Sequence, residues 1–512
     1  MELELKTSSL DTYEAVNSIT LTQEETAETI VPDYCPDIAR IVSADAAAYL
    51  HSREIRDGKA DVSGMVRVHV VYMPEGEKGL RSLEVTLPFA SGSEKGSFPS
   101  CCHLAAEAAV GALDVRMLNP RKISTRCKLI LRMTGHKKQQ MVLTEDVAAE
   151  EWLCLEKRRE KQSLVRLAHI AEKDFTFSDE VMLSPGRKGA AELLSSSIQS
   201  VVSDAKVVGN KLVIKGCFRL SILYRTQEGD CACSGAELPF SQILDAEDVG
   251  EGADAQVTLQ LTGSDLQISG EDPEGRTVAV TLYVHTTAYL HQHQEVSLLK
   301  DLYSTQYQTE YEARSLQLTE VRDTMLRRQT VRELLEIGVV PESVLMLTTR
   351  CGDVSVGRES HSSVLRTNVN LKALYRDEGG AVLMAERTVE VTCHLDLPEE
   401  CHVSAEAVCG EDLQSSIGER GIEVRFCVDF ALCMEQKVKR IGISAVKVEK
   451  DTPKDNANAP SLVLRCLRRQ ESLWDMAKTY RTTIHDILAA NQLEREEDIP
   501  YDQLLLIPKK RA

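Results

Sequence analysis

The sequence predicts a mainly β protein: three tandem antiparallel β-rich modules, each with one short helix, followed by a small β-α-α-β domain. Three observations carry this. One stretch recurs, as VRVHVVY at 66–72, FRLSILY at 218–224 and VNLKALY at 369–375, with closing tyrosines 152 and then 151 residues apart; self-similarity at a fixed period marks a repeat architecture. Each copy also alternates. In the second, Leu212, Ile214, Phe218, Leu220, Ile222 and Tyr224 share one face, and Lys211, Lys215, Arg219, Ser221 and Arg225 fall mostly on the other, the period of a half-buried strand. Finally, the last fifty residues leave that period for helical spacing between two short strands.

The period sets the organisation: modules over 10–145, 165–300 and 310–440, a linker at 450–460 and a terminal domain at 461–510. A helix is expected early in each module. Pro32 and Pro36 introduce Ile38, Ile41 and Val42 in the first, Pro185 and Gly186 precede Leu193, Leu194 and Ile198 in the second, and QTVRELLEIGVV serves the third. That third helix lies further from its tyrosine, which predicts a small insertion around CGDVSVGRES. Gly64 and Gly216 stand eight positions before their tyrosines, where the third copy has Thr367; a glycine inside a strand marks a bulge or a close backbone approach.

After each tyrosine come a turn (MPEGEKG, RTQEGD, RDEGG) and a second strand, ending Leu-Pro-Phe at 87–89 and 238–240. Two longer strands then form a hairpin, turning at NPRK, EDPEG and GERG, all sound turn chemistry. Four to six such strands per module predict a sandwich or curled sheet. Polar stretches follow the first two copies, and KDTPKDNANAPS reads as a linker.

In the terminal stretch, a strand at 462–467 leads to Ser472, placed to N-cap a helix with Asp475 three residues on. Leu473, Ala477 and Tyr480 mark its inner face. Thr483 and Asp486 repeat the start signal for a second helix with Ile484, Ile487 and Leu488 inward, and a last strand stops at Pro508.

Composition bounds the function. Hydrophobic residues are 43 % and charged residues 27 %, so the chain is globular. A net charge of −19 opposes general nucleic-acid binding, which needs a basic footprint. The first residues lack a basic region and an apolar run, so no secretory signal is expected; no apolar run approaches a membrane span. Fifteen cysteines scattered through apolar strands read as reduced thiols of a cytoplasmic protein.

The terminal stretch resembles a LysM domain through Ser472-Leu473-Trp474, Ala477, Tyr480, Thr482-Thr483, Ile487-Leu488, Asn491, Leu493 and the close Gln503…Ile507-Pro508. The resemblance implies binding loops that hold Gln470, Glu471, Ser472 and Leu473 on one side and Asn491, Gln492 and Leu493 on the other. Glycines of the family pattern are replaced here by Gln470, Arg481 and Asp502, which argues against the close backbone approach that a glycan needs. The modules resemble the SPOCS domain through VPDYCPDIARIV, the strand-end tyrosines, the Leu-Pro-Phe strands and DLYSTQY at 301–307. Together they resemble the SipL-like spore-coat morphogenetic family. That implies an adaptor in the mother-cell cytoplasm at the forespore surface, its LysM domain binding the coat-scaffold ATPase of stage IV sporulation. The alternative is a binder of peptidoglycan or N-acetylglucosamine polymers.

No catalytic, cofactor or metal site is expected. His291 and His293 lack further zinc ligands, and the gaps between Cys393, Cys401 and Cys409 are not knuckle spacings. Cys101-Cys102 and Cys231-x-Cys233 are not the redox C-x-x-C pattern. PGRKGA lacks the closing Lys-Ser/Thr of a P-loop. Trp474 and Tyr480 read as core of the terminal domain, and Arg468, Arg469, Lys509, Lys510 and Arg511 make its two ends basic, a candidate face for an acidic partner.

Overall fold

A computed structural model describes residues 1–512 other than 78, 184–187, 271, 273, 360–361, 397–400, 411, 454–461, 468–470, 497–503 and 509–512. The first module comprises β1 (Leu5–Ile30), β2 (Ile38–Arg56), β3 (Lys59–Pro74), β4 (Arg81–Gly92), β5 (Cys102–Asn119) and β6 (Lys122–Val147). The second comprises β7 (Leu155–Met182), β8 (Ala190–Val208), β9 (Lys211–Thr226), β10 (Cys231–Asp245), β11 (Asp254–Ile268) and β12 (Thr277–Ser304). The third comprises β13 (Tyr307–Glu336), β14 (Pro341–Glu359), β15 (Ser362–Asp377), β16 (Val382–Leu395), β17 (His402–Cys409), β18 (Gln414–Gly418) and β19 (Gly421–Pro453). β20 (Leu462–Cys466), α1 (Leu473–Tyr480), α2 (Ile484–Ala490) and β21 (Leu504–Pro508) follow.

One topology occurs three times. Three-stranded antiparallel sheets β2-β3-β4, β8-β9-β10 and β14-β15-β16 each face a sheet built on the long hairpin, β1-β6-β5, β7-β12-β11 and β13-β19-β17, where β18 also pairs with β19. Each pair of sheets encloses one core. Val66, Val68, Val70 and Tyr72 meet Ile123, Cys127, Leu129 and Leu131 in the first module. Phe218, Leu220, Ile222 and Tyr224 meet Val278, Val280, Leu282 and Val284 in the second. Val369, Leu371, Ala373 and Tyr375 meet Ile422, Val424, Phe426 and Val428 in the third. The tyrosine strands are the central strands of their sheets, so alternation puts each ring in the core.

The expected class, helix-bearing β modules followed by a small β-α-α-β domain, is corrected: the described residues are almost all β, 78 % strand and 4 % helix. Where helices were expected in the first two modules lie strands β2 and β8, and QTVRELLEIGVV supplies the end of β13. Bulges explain the misreading. β2 carries extra residues between Ile38 and Arg40 and between Ile41 and Ser43, and β8 between Ala190 and Glu192 and between Leu193 and Ser195. A bulged residue shifts the inward face by one position. Two bulges three residues apart therefore give strands the i, i+3, i+4 spacing of a helix. The expected insertion is absent too: β2, β8 and β14 are each 19 residues long and β3, β9 and β15 each 16.

The strand glycines meet both a bulge and an aromatic ring. Gly64 pairs across the sheet with Phe89, and Gly216 with Phe240. A Cβ on Gly216 would lie 2.2 Å from the Val201 carbonyl oxygen, beside a bulge of β8, and 2.7 Å from the Phe240 ring. In the third module the equivalent pair is Thr367 and Val391. There the bulge sits one position away, and the Thr367 hydroxyl donates to the Gly352 carbonyl at 2.9 Å.

The modules pack together, and equivalent residues meet. Val42, Leu194 and Leu345 join Val71, Leu223 and Leu374, and Leu80, Cys231 and Val382, in one apolar hub. Each triple is spaced by 151 or 152 residues, so the modules surround a pseudo-threefold axis. Polar links run between them: Arg81 to Glu192 at 3.0 Å, Lys372 to Asp45 at 2.8 Å, and Gln199 Nε2 donating to the Cys409 carbonyl at 2.7 Å. A second cluster joins the far ends of the long hairpins, with Leu3, Val147, Leu299, Leu302, Ile443 and Val446 from all three modules. The polar stretches expected between copies are these hairpins; β7 begins inside EEWLCLEKRREKQ.

Candidate functional site

The described residues between 462 and 508 form a compact unit. β20 pairs antiparallel with β21, Leu464 opposite Leu506. The Ser472 hydroxyl accepts the Asp475 N–H at 3.1 Å and donates to the Asp475 carboxylate at 2.6 Å, which caps α1. The Thr483 hydroxyl accepts the Asp486 N–H at 3.0 Å and caps α2. Leu473, Trp474, Met476, Ala477, Ile487, Leu505 and Ile507 make the core.

That core is completed from outside the unit, by Tyr303 near the end of β12. Its ring meets Trp474 edge to face with centroids 5.0 Å apart, and its hydroxyl donates to the Thr482 carbonyl at 2.8 Å in a buried contact. Two residues earlier, Asp301 accepts from the Trp474 indole N–H at 2.8 Å, and its two carboxylate oxygens accept from the Lys478 ammonium at 2.7 and 2.8 Å. Lys478 also lies 5.5 Å from the centroid of the Tyr311 ring. Burial by itself would raise the Asp301 carboxyl; the hydrogen bonds from Lys478 and Trp474 more than offset it and hold the group below its ordinary range.

The candidate binding-loop residues take distinct places. Gln470 lies outside the described residues, as do Arg468, Arg469, Asp502, Gln503, Lys509, Lys510 and Arg511. Glu471 accepts from Arg465 at 2.6 Å, Ser472 is the helix cap, and Leu473 is buried. Asn491 donates to the Ile487 and Leu506 carbonyls at 2.7 Å each and accepts the Leu506 N–H at 2.8 Å, tying α2 to β21. Gln492 is exposed with φ 56°, and Leu493 packs on the same core as Leu473. Tyr480 is covered by Arg465, whose guanidinium stands 5.6 Å from the ring centroid. Arg481 holds φ 57° after α1, the left-handed position that favours glycine.

Sequence reasoning missed Asp301, Tyr303 and Tyr311 as the seat for this unit. The signal for Asp301 and Tyr303 was present in DLYSTQY, an acidic and aromatic segment repeated in neither of the other modules, with Tyr311 four residues beyond it. It also missed the hub. The residue before each closing tyrosine, Val71, Leu223 or Leu374, is apolar where alternation calls for a polar one.

A further polar cluster joins the first two modules. Glu172 meets Arg53 at 2.7 Å, His103 at 3.0 Å and His285 at 3.3 Å, and His285 also meets Asp174 at 2.6 Å. Burial would raise Glu172, yet hydrogen bonds from His103 and His285 hold it far below the carboxylate range, and its ion pair with Arg53 links the two modules. His291 is buried, whereas His293 is exposed and pairs with Asp254 at 2.8 Å. Among the described residues no group of three or more His, Cys, Asp or Glu is arranged to hold a metal ion. Nor, among them, is any helix long and apolar enough to cross a membrane.

Fold and site together define a protein of three β-sandwich modules around a common axis, with a small C-terminal unit seated where the second module meets the third. Residues 190–269, spanning β8 to β11 of the second module, match the family described as SipL, SPOCS domain. This supports a SipL-like family and a sporulation-related role. No curated protein matches the chain.

Proposed function

We propose that the chain is a non-enzymatic adaptor for assembly of the spore envelope, working in the mother-cell cytoplasm at the forespore surface. The three modules act as a platform, and the C-terminal unit binds a protein partner such as the coat-scaffold ATPase of stage IV sporulation. The SPOCS match in the second module motivates the sporulation role. The observation that favours a protein over a glycan is the state of the loop residues. Glu471, Ser472 and Asn491 spend their polar groups on Arg465, on the α1 cap and on β21. A sugar needs free, directed donors and acceptors; a protein surface needs shape and charge.

Capture of the purified ATPase by the full chain, compared with a chain ending at Pro453, tests this. Retention by the full chain alone is expected, and absence of retention by both would overturn the reading. Sedimentation of the full chain with purified peptidoglycan tests the glycan alternative; strong co-sedimentation would favour it.

A further inference from the structure

The third module differs from its siblings at a further pair of positions. Six residues before the closing tyrosine, Val66 faces Ala48 on β2, Phe218 faces Ser200 on β8, and Val369 faces Cys351 on β14. Cys351 stands at the edge of the β14 bulge. β17 runs beside β14 where the two sheets of the sandwich meet, and it ends at Cys409. The two sulfurs are 3.0 Å apart, so about 1 Å of approach separates them from the ~2.05 Å of a disulfide. Cys409 is buried and Cys351 is half-buried.

The surroundings prepare one sulfur to react. The hydrogen bond from Cys351 holds the Cys409 thiol below its ordinary value, against burial that would raise it, and Thr349 and the Cys351 N–H add to the effect. The Cys409 carbonyl is meanwhile gripped by Gln199 of the second module at 2.7 Å.

We propose that Cys351 and Cys409 are a redox-sensitive pair that closes to a disulfide under a peroxide oxidant, stapling the two sheets of the third module beside its contact with the second. The Cys409 thiolate attacks one peroxide oxygen; the O–O bond breaks, and the departing hydroxide takes a proton to become water. Cys409 is then a sulfenic acid. The Cys351 sulfur attacks the Cys409 sulfur, the S–O bond breaks, and the leaving hydroxide takes up the Cys351 proton as a second water. The two thiols lose two electrons, and one peroxide is reduced to two waters.

The test treats the full chain with hydrogen peroxide, alkylates the remaining thiols, and maps the peptides by mass spectrometry before and after reduction. A cross-linked peptide pair containing Cys351 and Cys409 is expected, lighter by two hydrogens and separated by reductant. Hydrogen exchange in β14 and β17 should slow several-fold in the oxidised chain. In Cys351→Ser a dimedone adduct should accumulate at Cys409, and in Cys409→Ser neither the adduct nor the cross-link should form. Unchanged melting of the reduced variants shows that they fold; should either fail, the wild-type map decides. Oxidation of other cysteines with no link between these two would overturn the proposal, as would a link from Cys409 to a different cysteine.

Discussion

Replacing Asp301 with alanine should release the C-terminal unit from the modules. The carboxylate accepts three contacts of 2.7–2.8 Å, one from the Trp474 indole and two from the Lys478 ammonium. A hydrogen bond to a charged group contributes about 1.5–3 kcal/mol, and a buried donor left without a partner costs about 1–3 kcal/mol. Lys478 is about one-third exposed, so its share is discounted for solvent screening. A net loss of about 2–3 kcal/mol follows, which moves the seated-to-released ratio roughly 30- to 150-fold. The chain has two tryptophans. In a Trp152→Phe background, emission therefore reports Trp474 alone. Asp301→Ala should shift that emission to the red and speed hydrogen exchange in α1. Because seating holds the Asp301 carboxyl below its ordinary value, its contribution is complete above about pH 4 and is lost as pH falls through the lowered value. Emission and exchange unchanged by Asp301→Ala, in a chain whose modules still melt normally, would refute the reasoning.

Other perturbations probe the rest of the molecule. Gly216→Ala places a methyl 2.2 Å from the Val201 carbonyl, and should cost about 1–3 kcal/mol by denaturant unfolding; a neutral result would show that the close approach is not real. Leu223→Asp puts a charge in the hub, so small-angle scattering should show the modules separating while circular dichroism keeps its β signal. Asn491→Ala removes one hydrogen bond to the last turn of α2 and two to Leu506 of β21, with an expected loss of about 2–3 kcal/mol read by exchange of the β21 amides. Burial, helped by the neighbouring His103, lowers His136 to about 4. Its neutral form is the one packed against Tyr289, so stability should fall as pH drops from 6.5 towards 4, a slope that His136→Leu should flatten in pH-dependent melts.

Alternation was legible in the sequence wherever a strand has one wet and one dry face. Phe218, Leu220, Ile222 and Tyr224 announce both the strand and its buried side. Alternation failed at bulges, because an extra residue changes the count without changing the chemistry. That is why Ile38, Ile41 and Val42 read as helical. In the C-terminal unit, Ser472 and Thr483 could be placed as helix caps, since capping depends on residues three apart in the chain. Asn491 could be singled out, but its partner Leu506 lies 15 residues away, and its use as a brace was invisible.

The sequence by itself determined which residues repeat, which strands alternate and where the chain turns, because these depend on near neighbours and on the two-residue period of a strand. Only the tertiary structure decided that Val71, Leu223 and Leu374 meet at one axis, that Asp301 and Tyr303 receive Trp474 and Lys478, and that Cys351 touches Cys409. Each of those contacts joins residues 58 or more positions apart. Their encounter depends on how finished sheets pack, which no local pattern encodes.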